Sequence, residues 1–226
     1  VTAGTGKIVK RLRKDNGNGP DRTTVYAYED SGIDLAGRGS LGFAKVTSTD
    51  EQTGLVTSTA YSQAWPHAGM ALGSTVTKPG AARALSTTTH TLAANTINQA
   101  YGATVCPYVG KSVVERYDLG GEFLGRVTTQ GVDTANVQYD SHCNLLKVKV
   151  VSEGSATDPS ATFTTTTENT YVAEDKPNWL LDLVKTSKVS KRNSADTATV
   201  TRTKDFTYEP GSTGRVATEV VQAATN

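Results

Sequence analysis

Apolar and polar residues alternate with a period of two along most of this chain, and almost nowhere with the period of a helix. In residues 145–152, Leu146, Val148 and Val150 alternate with Lys147 and Lys149, predicting a strand with an apolar row on one face and charges on the other. Residues 22–28, with Val25, Tyr26 and Tyr28, form another candidate strand after the turn-rich run from Asp15 to Pro20. Residues 43–49 and 55–63 alternate on either side of Asp50-Glu51-Gln52-Thr53-Gly54, the right length for a five-residue hairpin connection. Residues 65–85 carry Pro66, Gly69, Gly73, Pro79 and Gly80 around Val76 and read as a loop with a short strand. Further strands are predicted at 109–117, 123–130, 136–139, 161–171, 180–190, 197–208 and 215–222, with 154–159 and 192–196 as connections.

A turn signature recurs among them. Tyr117-Asp118 comes with Gly120-Gly121, Tyr139-Asp140 with Asn144, and Tyr208-Glu209 with Gly211 and Gly214. A strand ending in tyrosine, followed by an acidic residue and a glycine that reverses the chain, is the pattern of serial β-hairpins. The expected fold is all-β, built from serial antiparallel hairpins with little helix. Residues 1–91 form a β-rich segment leading into hairpin repeats at 92–226.

At 226 residues the chain is long enough to bury a substantial core, as one β-rich domain or as a slice of something larger, and its composition suits half-exposed strands. Of 226 residues, 36% are hydrophobic and 7% aromatic, and threonine fills runs such as Thr87-Thr88-Thr89 and Thr164-Thr165-Thr166-Thr167. The 23 basic and 22 acidic side chains leave a net charge of +1, which gives no global pull toward nucleic acid or anionic lipid. No stretch approaches the roughly 20 apolar residues of a membrane helix, and residues 1–7 lack the apolar core of a signal peptide. The chain reads as an excerpt of a much larger protein.

The motifs that could carry chemistry are weak. Gly37-Arg38-Gly39-Ser40-Leu41-Gly42 fits the dinucleotide pattern, but strand-like Phe43-Ala44-Lys45-Val46 follows where a helix must open. Arg38 likewise spoils a nucleophile elbow at Ser40. The stretch from Gly120 to Val127 lacks the lysine and hydroxyl of a phosphate loop. His67, His90 and His142 stand apart, with no metal-ligand spacing, and Asp15-Asn16-Gly17-Asn18-Gly19 lacks a calcium loop's ligands. The pairs Glu29-Asp30 and Asp50-Glu51 fall in polar connections, where nothing desolvates a general acid. The basic run with Lys10, Arg11, Arg13 and Lys14 reads as a solvated strand or arm. No catalytic, cofactor or metal site is expected.

The order Gly19-Pro20, Tyr26-Ala27-Tyr28, Arg38-Gly39, Leu41-Gly42-Phe43, Asp50, Thr53-Gly54, Tyr61-Ser62-Gln63, Pro66 and Gly69 is similar to the segment feeding the repeats of Rhs/YD-repeat proteins. It looks most like the SpvB/TcdB-like shell proteins of bacterial Tc toxin complexes. Asn169-Thr170-Tyr171, Trp179-Leu180-Leu181, Arg202, and Tyr208 with Gly214 continue the pattern downstream. The resemblance implies a strand ribbon curled into a hollow shell around a toxic C-terminal polypeptide. It implies a secreted or surface bacterial protein whose partners are neighbouring repeats and that enclosed polypeptide. Cut from such an array, uncovered strand edges are expected to promote self-association.

The departures from the family pattern are informative. Cys143 stands where the repeat usually has glycine before Asn144, and Cys106 precedes Pro107-Tyr108 where an aromatic is usual. These two unusual residues are the only cysteines, which suggests an intramolecular disulfide, with two free thiols as the other reading. Leu181-Asp182-Leu183 replaces a Leu-Gly-Arg-like turn, which leaves strand geometry there open. The family's autoproteolytic core needs an Asp-Pro-x-Gly region, which Asp158-Pro159-Ser160-Ala161 does not match. The expected role is therefore a non-catalytic portion of a shell wall. The alternative, from another class, is an adhesin or carbohydrate-binding module, with Tyr26, Tyr28, Trp65 and Trp179 as stacking surfaces and the two tryptophans foremost.

Overall fold

The computed structural model describes residues 7–99, 102–130, 139–154, 158, 161–195, 198–211 and 213–222. Thirteen strands follow in chain order among the described residues: β1 (Arg11–Lys14), β2 (Arg22–Asp34), β3 (Gly39–Asp50), β4 (Val56–Tyr61), β5 (Ala71–Thr77), β6 (Ser86–Gln99) and β7 (Gly102–Tyr117). The rest are β8 (Phe123–Gln130), β9 (Lys147–Glu153), β10 (Thr162–Tyr171), β11 (Val184–Asn193), β12 (Val200–Tyr208) and β13 (Val216–Val221). Their order in the sheet is their order in the sequence. The fold is all-β, an antiparallel sheet of serial hairpins with no helix among the described residues.

Most predicted strands recur with shifted ends. β2 and β3 run longer than 22–28 and 43–49 because they pair through Glu29↔Lys45 and on to Asp34↔Gly39, across a bulge at Gly32/Ile33. Glu29 and Asp30 thus lie in a strand rather than a connection. β6 is absent from the sequence prediction, since its run Thr87-Thr88-Thr89 carries no apolar alternation, yet it pairs with β5 through Thr75↔Thr87 and Val76↔Ser86. The strand expected from residue 180 begins at Val184, because Leu180 is held back in a bridge to Asp175. The strand expected at 136–139 falls outside the described residues except Tyr139, which bridges Leu145.

The chain divides into two compact units, residues 1–94 with 107–126, and residues 95–106 with 127–226. The boundary at 91/92 read from the sequence lies within β6.

In the first unit, Ala27, Thr47, Ser58, Thr75 and Thr87 line up across β2 to β6 as directly paired neighbours. Direct partners in an antiparallel pair share a face, so this is a row of small and hydroxyl side chains on one side of the sheet. Thr47 Oγ1 donates to Ser58 Oγ at 3.4 Å within it. The second unit repeats the device: Lys149, Thr166, Ser190 and Thr201 form one row, and Ser190 and Thr201 hydroxyls lie 3.1 Å apart. A neighbouring row, Lys147, Glu168 and Lys188, is ionic, with Glu168 2.6 Å from Lys147 Nζ and 3.7 Å from Lys188 Nζ.

No apolar side chain among the described residues is buried; the buried residues are Thr23 and Ser62. The alternation of Val148 and Val150 with Lys147 and Lys149 does not separate a covered face from a wet one, since all four are half-buried. With so little apolar area removed from water, cross-strand pairs worth about 0.2–1 kcal/mol each and the backbone ladder carry most of the cohesion.

At Gly73, paired to Ala60 and Thr89, a Cβ would collide with the Thr88 carbonyl oxygen. Gly73→Ala should therefore push β5 from β6 and destabilise the protein by about 1–3 kcal/mol, read as a lower denaturation midpoint. An unchanged midpoint would show that the close approach carries no energetic weight.

Candidate functional site

Two of the three recurring turns are aspartate cages. At the first, the Asp118 amide donates to the Glu122 carbonyl (3.0 Å), the Gly121 amide to the Asp118 carbonyl (3.2 Å), and Asp118 Oδ1 accepts the Glu122 amide (2.7 Å). At the second, the Asp140 amide donates to Asn144 O (2.9 Å), the Cys143 amide to Asp140 O (3.1 Å), and Asp140 Oδ1 accepts the amides of His142 (2.8 Å) and Asn144 (2.9 Å). The two turns share one hydrogen-bond plan, with the third residue after aspartate in the left-handed region: Gly121 at φ 89° and Cys143 at φ 68°. Glycine occupies that region freely and cysteine does so at a cost of about 1–2 kcal/mol. The side chain at 143 is thus worth that strain.

The third signature differs. Tyr208 pairs with Val216 and the Glu209 amide donates to Arg215 O (2.9 Å), with Gly211 and Gly214 both at positive φ and no aspartate cage. Other aspartate cages lie outside the sequence signature, Asp50 among them, whose Oδ1 accepts the Gln52 and Thr53 amides. Asp34 Oδ1 accepts the Ala36 amide (2.6 Å), and Asp175 exchanges backbone hydrogen bonds with Leu180 (3.0 Å each) while its carboxylate accepts from Asn178. Neither of these turns has a tyrosine before its aspartate, though the Asp34 turn keeps a glycine three residues on, Gly37 at φ 95°.

The tyrosines of the pattern tie strands together. Tyr208 Oη donates to Val184 O (2.8 Å) and Tyr171 Oη to Leu145 O (2.9 Å), and burial of each phenol raises its pKa. Tyr117 instead packs edge-on against Phe123, with centroids 5.7 Å apart, and beneath the Arg83 guanidinium, 3.5 Å from the ring centre.

Of the aromatic residues considered for stacking, Tyr26 and Tyr28 are on one face of β2, and Tyr28 lies 4.7 Å from the Phe43 ring. Trp65 is exposed but has the Arg38 guanidinium over its ring at 4.7 Å. Trp179, in the second unit, is 79% exposed. It stands at the rim of a concavity of about 730 Å³, together with Ser141, His142, Cys143, Glu174 and Lys176.

The Asp140 cage brings Cys143 beside Cys106, with Cα atoms 6.2 Å apart and the two sulfurs bonded. The same cage reaches Leu181 O through Asn144 Nδ2 (2.7 Å), so the turn is fastened on two sides. Next to it, His142 Nε2 lies 2.9 Å from Glu174 Oε2, Lys176 Nζ lies 2.7 Å from Glu174 Oε1, and Ser141 Oγ is 3.5 Å from His142 Nδ1. Serine, histidine and carboxylate stand in line, but the amides of residues 142, 143 and 144 are all engaged by Asp140 and none is left there to hold an oxyanion. His67 Nε2 lies 3.0 Å from Ala93 O, and His90 Nδ1 is buried with no hydrogen-bond partner. Among the described residues no cluster of three metal-ligating side chains occurs, and no helix is long and apolar enough to cross a membrane.

No family model and no curated protein matches this sequence. Solved structures do. A chain in the crystal structure of TcdB2-TccC3-Cdc42 superposes with a TM-score of 0.67 at 10% identity, over 89% of this chain and 15% of that one. TcdB2-TccC3 gives 0.66 over 88% of the chain, and the Photorhabdus luminescens Tc holotoxin pore 0.67 over 89%, again at 10% identity and 15% of the matched chain. The chain has the fold of a Tc toxin segment. At that identity the likeness is one of fold, and the chain spans 15% of the length of those it matches. The similarity to Tc shell proteins read from the sequence thus returns as a match in three dimensions.

Four carboxylates are held below their ordinary pKa: Asp34 by Arg38 and then the Ala36 amide, Asp50 by the Thr53 and Gln52 amides, Glu115 by Arg126, and Glu168 by Lys147. The unfolded chain binds protons at these groups first as pH falls, so their contribution is full above the ordinary carboxylate range and lost through it. The denaturation midpoint should drop between about pH 5 and pH 2, and less steeply in Asp50→Asn. A flat profile would contradict this account of the turns.

Unreduced protein digested for mass spectrometry should yield the Cys106–Cys143 linked peptide. The link spans 37 residues, and reducing it should cost about 2–4 kcal/mol. Full alkylation of both thiols without reductant would exclude it.

Proposed function

We propose that this chain is a non-catalytic wall segment of a Tc/Rhs-type shell, enclosing a C-terminal toxic polypeptide of its parent protein. The observation that carries the reading is a serial antiparallel sheet with no buried apolar side chain among the described residues, on a fold that matches Tc toxin chains over 15% of their length. A sheet of that kind leaves both faces available. One can meet solvent and the other an enclosed chain, while the edge strands continue into further repeats.

The absence of catalysis is part of the proposal. Its support is that the Ser141-His142-Glu174 line has no free amide beside it, and that Glu174 is shared with Lys176. Secretion as part of a toxin complex follows from the same reading, with the Cys106–Cys143 link suited to an oxidising exterior.

The test uses the full-length gene product with a photo-crosslinking residue at Thr166 or Thr167, neighbours that point to opposite faces of β10. Cross-links to the C-terminal polypeptide are expected from one position and not the other. Cross-links from neither would overturn enclosure. Turnover in broad hydrolase screens that vanishes in Ser141→Ala or His142→Ala would overturn the non-catalytic assignment.

A further inference from the structure

We infer that the concavity beside the Cys106–Cys143 link is a binding site for a neutral pyranose sugar, with Trp179 as its stacking platform. The inference goes beyond the wall reading and stands or falls independently of it.

Three observations converge within the second unit. The non-glycine residues at positive φ among those described are Asp30, Cys143 and Trp179, and two of the three line this one concavity. Backbone held in so unfavourable a region persists where the surroundings over-determine it and a function uses it. Around Trp179 the surroundings do so: Asp175 and Leu180 exchange backbone hydrogen bonds, the Trp179 amide donates to Lys176 O at 3.1 Å, and Asn178 is tied to the Asp175 carboxylate. The turn therefore fixes the backbone that carries the indole, 79% exposed, whereas the other exposed tryptophan has a guanidinium stacked on its ring. An exposed aromatic on a locked turn loses little entropy when a ligand covers it.

The polar groups around the indole decide the ligand class. Glu174 is paired with both His142 and Lys176, so its charge is balanced and the site makes no demand for an ionic ligand. Spare hydrogen-bond capacity remains: a carboxylate has about four acceptor positions, an ammonium three donors, and the Ser141 hydroxyl can do either. A pyranose matches this inventory, with an apolar C–H face for the indole and equatorial hydroxyls that both donate and accept. A volume of about 730 Å³ admits one or two sugar rings.

Trp65→Phe leaves Trp179 as the sole tryptophan, whose fluorescence is titrated with the methyl glycosides of glucose, galactose, mannose and N-acetylglucosamine. Saturable change with at least one of them below about 20 mM is expected. Trp179→Gly removes the ring while suiting the left-handed backbone, so it should keep or raise the melting temperature and weaken binding at least about tenfold by calorimetry. Glu174→Gln should weaken it while leaving the fold intact. No saturation with any of the four sugars, or binding unaltered in a folded Trp179→Gly variant, would overturn the assignment.

Discussion

Everything in this molecule depends on the backbone ladder between strands adjacent in sequence. Each strand pairs with its neighbours in the chain, and among the described residues no packed apolar interior compensates if a pair opens. The usual division of labour, in which apolar burial supplies most of the free energy and hydrogen bonding supplies geometry, is shifted here toward the ladder. Threonine answers that shift, because its branched Cβ favours extended backbone while its hydroxyl tolerates both water and a neighbouring hydroxyl. Rows such as Thr47, Ser58 and Thr75 form where a sandwich would place valine and leucine.

Without a buried face, register is weakly specified by side chains, and a slip of one residue costs less than it would in a two-layered sheet. The turns take over that duty. The aspartates at 34, 118 and 140 each fix the reversal two to four residues on, through amides that have one carboxylate to bind. Asp50 does the same for the β3–β4 hairpin, accepting the Gln52 and Thr53 amides while Arg22 pairs with its other oxygen. At Asp50 these amides are the main cause of a depressed carboxylate pKa, whereas at Asp34 the Arg38 hydrogen bond comes first and the Ala36 amide second. At Asp50 register setting and acid sensitivity are one property seen twice.

That logic explains what the sequence disclosed. Hairpins with alternating valines or a Tyr-Asp signature were legible because period and turn chemistry agree, as in β3 and β4 or β7 and β8. β6 was not, since a threonine run has no two-fold contrast and its pairing partner is not encoded in its own periodicity. The turn at Asp175 was obscured by Leu180, an apolar residue that reads as the start of a strand. Cys143 was conspicuous as a replacement for glycine, but that it shares a concavity with Trp179, far along the chain, depends on how β9 to β11 place the Asp175 turn. Contacts of that range lie beyond local pattern.

A sheet without a core has to obtain local rigidity from covalent and polar fastening, so the places where fastening accumulates indicate where rigidity matters. In the second unit it accumulates at one point. The Cys106–Cys143 link, the Asp140 cage with its Asn144 tie to Leu181, and the Asp175 turn all border the same concavity, and both strained non-glycine residues described in that unit lie in it. The Asp118 hairpin reverses on a single cage with a glycine, which suffices to turn the chain. A turn that accepts cysteine or tryptophan in the left-handed region gives up conformational energy that glycine would have kept, and it does so where an indole is held out to solvent. At 143 the covalent link to Cys106 accounts for that cost; at 179 structural duty alone would have left glycine.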